Sequence, residues 1–152
     1  MKNKKNDIKV GHVVLKHQRE MFAPPPPGYP INSPFQTIHD WLSAICDAEP
    51  PAVPISVYSF GVFESADDWL LFVVGENSAQ KDQYTSATYI DFKPSLMYFL
   101  LPKEQHAGKQ RDEIKKQLHR ELEEFTRTEK FRSSFLAKAY SAEWSGEAFW
   151  YQ

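Results

Sequence analysis

The chain has 152 residues, a formal net charge of −2 and 41% hydrophobic residues, which is typical of one globular domain. Aromatic residues make up 14% of it, so disorder of the whole chain is excluded. The longest apolar runs, Trp69–Val74 and Leu96–Leu101, cover about six residues, whereas a membrane-spanning helix needs about 20. We therefore expect residues 1–152 to form one domain without a membrane partner.

Two features of the sequence point to a cytoplasmic protein. The basic start, Met1–Asn6, is not followed by the apolar core of a signal peptide. The single cysteine, Cys46, excludes an intrachain disulfide and fits a reducing compartment. We expect Cys46 to be structural and buried, because it falls at the C-terminal end of a predicted helix, where the helix dipole raises the pKa of a thiol.

Charge is distributed unevenly along the chain. Residues 1–20 carry a net charge of +4, residues 21–102 carry −7 and residues 103–152 carry +1. The middle segment has only two cations, Lys81 and Lys93, so it is poorly suited to nucleic acid, whose phosphates require Lys and Arg. It is better suited to a basic protein partner, although many proteins are mildly acidic for solubility alone.

The first third of the chain contains one predicted strand and one predicted helix. We expect residues 1–6 to be disordered and a short strand to run from Ile8 to Leu15. The proline-rich residues 23–32 predict an extended connector, although such a segment can also be a ligand for an aromatic groove. Ser33-Pro34 predicts the start of a helix that Pro50-Pro51 ends. The apolar residues of this helix recur on one face: Phe35, Ile38, Trp41, Leu42 and Ile45.

The middle of the chain is rich in β-branched and aromatic residues, which favour strands. A turn is predicted at residues 66–68 and a polar loop at residues 79–86. Because the predicted strands are joined by short turns, we expect an antiparallel meander. The strands are predicted at Ile55–Phe63, Trp69–Val74, Ala87–Phe92 and Leu96–Leu101.

The last third begins with a predicted long helix after Gly108. Its apolar residues recur at helical spacing, and the opposite face is charged: Ile114, Leu118, Leu122 and Phe125. A short helix is predicted after Thr128-Glu129, and a closing hairpin or a terminal strand at residues 139–151. The sequence thus predicts an α+β fold, with an antiparallel meander of about five to six strands on which an N-terminal helix and a long C-terminal helix pack.

No motif for a metal, a nucleotide or a catalytic nucleophile rises above chance, so we expect no cofactor, no metal and no enzymatic activity. His119 and Glu123 superficially suggest a zinc helix, but the second histidine is missing. Two alternatives stay open. One is a structural or oligomer-forming domain, and the sequence leaves the oligomeric state undetermined. The other is a small enzyme in a sheet–helix cleft, with His39, Asp40 or His119 as general acid or base.

The residues that best suit a protein interface are carboxylates with interleaved tyrosines on the predicted turns and loops. Tyrosine and acidic groups on loops suit contact with a basic partner, whereas the alternative is an ordinary solvated rim. The predicted partner-binding residues are Glu64, Asp67, Asp68, Glu76, Asp82 and Tyr84.

Two segments, YSFGVFESADDWLLFVVGENS (58–78) and ATYIDFKPSLMYFLLP (87–102), resemble small bacterial immunity proteins encoded beside polymorphic toxins of contact-dependent inhibition systems. In that group a strand reading YxFGLFE leads to a strand ending in Gly, and a segment reading xxDFxPxxxYxxLP follows. The matching residues are Tyr58, Phe60, Gly61, Phe63, Glu64, Asp91, Phe92, Pro94, Tyr98, Leu101 and Pro102. The later segment TEKFRSSFLAKA (128–139) is similar too.

This resemblance implies a protein that binds and neutralises a cognate toxin domain without catalysis. Toxins of such systems are often nucleases with basic clefts, which would suit the acidic middle segment. The resemblance covers roughly residues 55–140, and it departs in the loop after Gly75. That loop is strongly acidic in the group, whereas here it reads ENSAQKDQYTSA (76–87) and carries Lys81, so a role for it as a nucleic-acid mimic is not supported.

Overall fold

The computed structural model describes residues 20–21, 31, 33–65, 67–77 and 89–152. Several predictions lie outside these residues: the strand at 8–15, the disorder of 1–6, most of the proline-rich connector and the loop at 79–86. The strands are β1 Glu20–Met21, β2 Val57–Glu64, β3 Trp69–Glu76, β4 Tyr89–Ile90, β5 Tyr98–Leu100, β6 Ser141–Trp144 and β7 Glu147–Tyr151. The α-helices are α1 Ile38–Cys46, α2 Arg111–Phe125 and α3 Glu129–Arg132, and short 3-10 helices span Lys103–Gln105 and Phe135–Lys138.

Helix α1 begins later than its sequence signal suggested. The Thr37 Oγ1 accepts a hydrogen bond from the Asp40 N–H at 3.0 Å, and Thr37 has the extended backbone of an N-cap. The prediction that Ser33-Pro34 starts the helix is therefore wrong, because the hydroxyl that satisfies the first turn belongs to Thr37. The predicted apolar stripe is confirmed within the helix, where its buried residues are Ile38, Trp41, Leu42 and Ile45.

The described strands form a five-stranded sheet in the order β5-β3-β2-β6-β7 and a two-stranded sheet of β1 and β4. The α+β class is confirmed, but the predicted purely antiparallel meander is wrong, because β2 and β6 are parallel. The chain leaves β5 at one edge and passes through α2 and α3 before it enters the sheet on the far side of β2. Such a crossover lets β6 run in the same direction as β2.

Two of the predicted hairpins are present, with shifted ends. The strand predicted at Ala87–Phe92 does not join the five-stranded sheet, because β4 pairs with β1 and β3 pairs directly with β5. Strands β2 and β3 pair over eight residues each, and β3 continues through Gly75 to Glu76, where the sequence predicted a break. Gly75 does not end the strand, because its backbone pairs with Tyr58 on β2. The closing hairpin of β6 and β7 turns at Ser145 and Gly146, both with positive φ.

Helix α2 packs against α1 and β7 and buries the stripe predicted for it: Ile114, Leu118, Leu122 and Phe125. It does not form the C-terminal end of the fold, because α3, a 3-10 helix and the β6–β7 hairpin follow it. The short helix predicted after Thr128-Glu129 is present as α3, and the Thr128 Oγ1 accepts a hydrogen bond from the Phe131 N–H at 3.2 Å.

The two faces of the sheet are packed differently. Alternate residues of β2, such as Tyr58 and Phe60, point to the face that carries the helices and the main core. On the other face, Phe72, Val74 and Ile90 form a smaller buried cluster, on which Phe63 and Tyr98 pack. Phe60, Trp69 and Phe72 are all at least 93% buried, so these aromatics are core residues.

Gly61 and Gly75 of the resembling segment provide space for neighbouring side chains. A Cβ at Gly61 would lie 2.4 Å from Cζ of Phe72, whose ring covers the glycine from the neighbouring strand. A Cβ at Gly75 would lie 2.9 Å from Cγ2 of Ile55 and 3.2 Å from Cε1 of Tyr58. Neither position requires a positive φ, since among the described glycines only Gly108 and Gly146 have one.

We expect Gly61→Ala to lower the free energy of unfolding by about 1–3 kcal/mol, because the added methyl group overpacks a buried ring. Chemical denaturation monitored by tryptophan fluorescence measures this loss. Phe72→Leu shortens the side chain that the methyl group meets, so the double variant should lose less than the sum of the two single variants. Additive losses would show that Phe72 does not impose the requirement for glycine.

Candidate partner-binding surface

The β2–β3 turn holds the first candidate residues. The Ser65 N–H donates to the Asp68 carbonyl at 2.9 Å, and the Asp68 N–H donates to the Ser65 Oγ at 3.0 Å, so the turn is closed by two reciprocal bonds. The side chains of Asp67 and Asp68 are exposed, and neither forms an ion pair with any residue the structure describes. The turn therefore presents two solvated carboxylates at the end of the hairpin.

Glu64, at the end of β2, is neutralised from helix α2. Its Oε1 lies 2.5 Å from the Arg111 Nε, and its Oε2 lies 3.2 Å from an Arg111 terminal nitrogen and 3.3 Å from the Lys115 Nζ. The hydrogen bond from Arg111 is the main cause that holds the pKa of Glu64 below its ordinary value. Glu64 therefore ties α2 to the hairpin, and its negative charge is already compensated within the chain.

Between the turn and the start of α2 lies an open groove of about 450 Å³. We call it the hairpin groove, and its lining residues are Glu64, Ser65, Asp67, Trp69, Lys103, His106, Ala107, Gly108, Lys109, Arg111 and Ile114. It contains two carboxylates, three lysine or arginine side chains and one histidine. The surface around the turn is thus of mixed charge, and the purely acidic surface of the sequence-based prediction does not extend into the groove.

Glu76 lies at the opposite end of β3 from the turn. Seven residue steps of about 3.3 Å separate it from Trp69, or about 23 Å, so Glu76 and Asp67 lie at the two ends of the hairpin. It is 93% buried, and its Oε2 has no hydrogen-bond donor among the described residues. The pKa of Glu143, on the same face across β2, is raised by burial and by repulsion from Glu76.

The six predicted partner-binding residues thus divide into three sets. Glu64, Asp67 and Asp68 lie together at the hairpin end, and Glu76 lies apart. Asp82 and Tyr84 lie outside the described residues. Arg111 and Lys115 complete the hairpin end. They were not singled out from the sequence, because their positions on α2 indicate only a solvated face. Arg111 is also 47 residues from Glu64 along the chain.

Two residues of the enzyme alternative are neighbours, because the Nδ1 of His39 lies 3.9 Å from the Oδ1 of Asp40, and both side chains are exposed. His39 lines a groove of about 400 Å³ between α1 and α2, together with Glu121, whose pKa is raised by burial. Asp40 is exposed, and the His119 ring packs at 6.2 Å from the Phe149 ring. Between sheet and helices, where that alternative places its site, there is a cavity of about 10 Å³ lined almost entirely by apolar side chains, about the volume of one water.

Cys46 is half-buried, and its pKa is raised chiefly by burial, whereas the sequence argument relied on the helix dipole. Across the ranges that the structure describes, no three His, Cys, Asp or Glu side chains are grouped so that they could hold a metal ion. Within the same ranges, no helix combines the length and the apolar character that crossing a membrane requires.

The Glu64 pair predicts a pH dependence of stability. Above the ordinary carboxyl value of 4.5 its contribution is fully present, because Glu64 is ionised in both states and paired only in the folded one. As the pH falls through the lower folded-state pKa, the contribution is lost. Glu64→Gln should therefore weaken acid destabilisation in urea titrations, whereas Glu104→Gln, an exposed carboxyl without a described partner, should leave the profile unchanged. Identical acid profiles for Glu64→Gln and the parent would contradict this role.

Glu143 predicts a pH dependence of stability with the opposite sign to that of Glu64. Its raised pKa means that the ionised side chain costs stability at neutral pH, and that cost disappears as the pH falls below the ordinary value of 4.5. Glu143→Gln should therefore raise the urea midpoint at pH 7, and the gain should shrink under acid conditions. Glu147→Gln, an exposed carboxyl on the same hairpin, is the matched control. A lower midpoint for Glu143→Gln would indicate that the carboxylate has a stabilising partner.

Comparison of the chain with protein-family models, with curated proteins and with solved structures finds no match.

Proposed function

We propose that this protein is an immunity protein, which binds a basic toxin domain of the nuclease type and neutralises it by contact, without catalysis. The observation that carries the proposal is the β2–β3 turn, where Asp67 and Asp68 stand exposed and unpaired among the described residues beside the hairpin groove. Exposed carboxylates attract a basic partner over distances of about a Debye length and so accelerate encounter.

The hydrogen bonds between Ser65 and Asp68 support this role. They close the turn, and the paired strands behind it are held by the buried ring of Phe72 over Gly61. A surface held in one conformation before binding loses little conformational entropy on association, which favours tight complexes. The mixed charge of the groove would add specificity, because a wrong partner would bring like charges together.

The resemblance to immunity proteins supports the fold of such a protein more than its contact surface. Four of its motif residues lie within the sheet or pack on it: Tyr58, Phe60, Gly61 and Tyr98. A group that shares core residues can therefore differ in the exposed residues that select each toxin. We assign the cytoplasm as its location, where a single cysteine that is free in the structure remains reduced.

The direct test is the affinity for the C-terminal domain of the toxin encoded beside this protein, measured by calorimetry at two salt concentrations. We expect tight binding that weakens as salt rises. Asp67→Lys/Asp68→Lys should weaken binding at least about tenfold, or about 1.4 kcal/mol. It should change the free energy of unfolding, measured by urea titration, by no more than about 0.5 kcal/mol.

The matched control is Glu49→Lys/Glu124→Lys, which makes the same change in net charge at exposed carboxylates. Neither residue lines the hairpin groove. Equal weakening of binding by both double variants would show that the effect depends on net charge and not on the turn. Undiminished binding by the Asp67 and Asp68 variant would remove the turn from the interface, and no binding by the parent protein would overturn the proposed function.

A further inference from the structure

Glu76 is a carboxylate on the side of the sheet away from the main core. It lies opposite Val57 in the β2–β3 ladder, and the next pair on the same side is Ser59 with Val74, because residues opposite each other project to one face. Val74 belongs to the smaller buried cluster. We call this side of the sheet the Glu76 face.

The burial of Glu76 indicates that the Glu76 face is covered. Among the described residues, no helix residue belongs to the cluster on this face, and yet the Glu76 side chain is 93% buried. A glutamate side chain extends well beyond the backbone, so on an uncovered sheet it would be largely exposed. Some segment must therefore lie over it.

The covering segment has to carry a cation. The Oε2 of Glu76 is shielded from solvent and has no hydrogen-bond donor among the described residues, and none of the ion pairs between described residues includes it. Repulsion from Glu76 also contributes to the raised pKa of Glu143, so the charge of Glu76 is not compensated by the described residues. A buried carboxylate is normally paired with a positive group.

Strand β1 lies close to Glu76. The Asp91 N–H donates to the Gly75 carbonyl at 2.8 Å, so the chain at β4 runs beside the end of β3. Strand β1 pairs with β4, where Glu20 is opposite Ile90. Glu20 is therefore about two strand spacings, or about 10 Å, from the end of β3. Because Ile90 belongs to the cluster on the Glu76 face, the chain that enters β1 arrives beside this face.

The chain that precedes β1 has the composition that the Glu76 face requires. Residues 1–19 contain six lysine or arginine side chains and one carboxylate, Asp7. Two of the cations, Lys16 and Arg19, lie within four residues of β1, which is at most about 14 Å of extended chain. The preceding residues, Ile8–Leu15, are mostly apolar and therefore suit the buried cluster beside Glu76.

We infer that residues 8–19 of this chain pack on the Glu76 face and that Lys16 or Arg19 pairs with the Glu76 carboxylate. The connection through β1 favours this occupant over a second copy or a partner protein, because a segment tethered beside its site has an effective concentration of roughly millimolar. The contact occupies the Glu76 face and leaves the hairpin end accessible, so it is independent of the proposed function.

The test is a double-mutant cycle in the full chain, measured by urea denaturation at neutral pH. Lys16→Gln/Arg19→Gln should lower the urea midpoint by at least about 0.5 M, because it leaves a buried carboxylate unpaired. In the Glu76→Gln background the same change should have little effect. Lys4→Gln/Lys5→Gln, the matched control, removes two charges that precede the segment and should have little effect in either background. Equal losses for Lys16→Gln/Arg19→Gln in the two backgrounds would overturn the inference.

A second measurement, carboxyl ¹³C NMR, does not depend on stability. The titration of Glu76 should move to higher pH in Lys16→Gln/Arg19→Gln, because the ionised form loses its cation, and should stay unchanged in the control. An unchanged titration in both variants would overturn the inference. It would also be overturned if the titration in the parent depended on protein concentration, which would assign the face to a second copy. A titration that responded only to added toxin domain would overturn it in favour of that partner.

Discussion

The fold depends on the packing of Trp41, a residue of helix α1, against the sheet. This side chain is fully buried, its ring stacks on Phe99 of β5 at 5.4 Å, and it meets Phe60 of β2 edge-on at 6.2 Å. Its Nε1–H donates to the Leu96 carbonyl at 2.7 Å, which satisfies the polar atom that burial would otherwise leave unpaired. One residue thus joins α1 to a central strand, to an edge strand and to the loop before that edge.

The carboxylates at the two ends of the β2–β3 hairpin have different environments. At the hairpin end, Glu64 forms ion pairs with Arg111 and Lys115 of α2. The carboxylates that remain available to a partner there are those of Asp67 and Asp68. At the far end, Glu76 is buried, and Glu143 shares its face. Burial raises the energy of a carboxylate, whereas exposure beside a groove leaves it available for contact. The two ends therefore have different roles even though both are acidic in sequence.

The sequence by itself determined the α+β class, the buried stripes of α1 and α2, helix α3 with its Thr128 cap, and the closing hairpin. These features depend on residues within a few positions of one another, whose periodicity is visible in the chain. Only the tertiary structure decided the parallel pairing of β2 with β6, the neutralisation of Glu64 by α2 and the separation of Glu76 from Asp67. These features depend on where α2 and α3 carry the chain, because contacts between distant segments leave no periodic pattern in a single sequence.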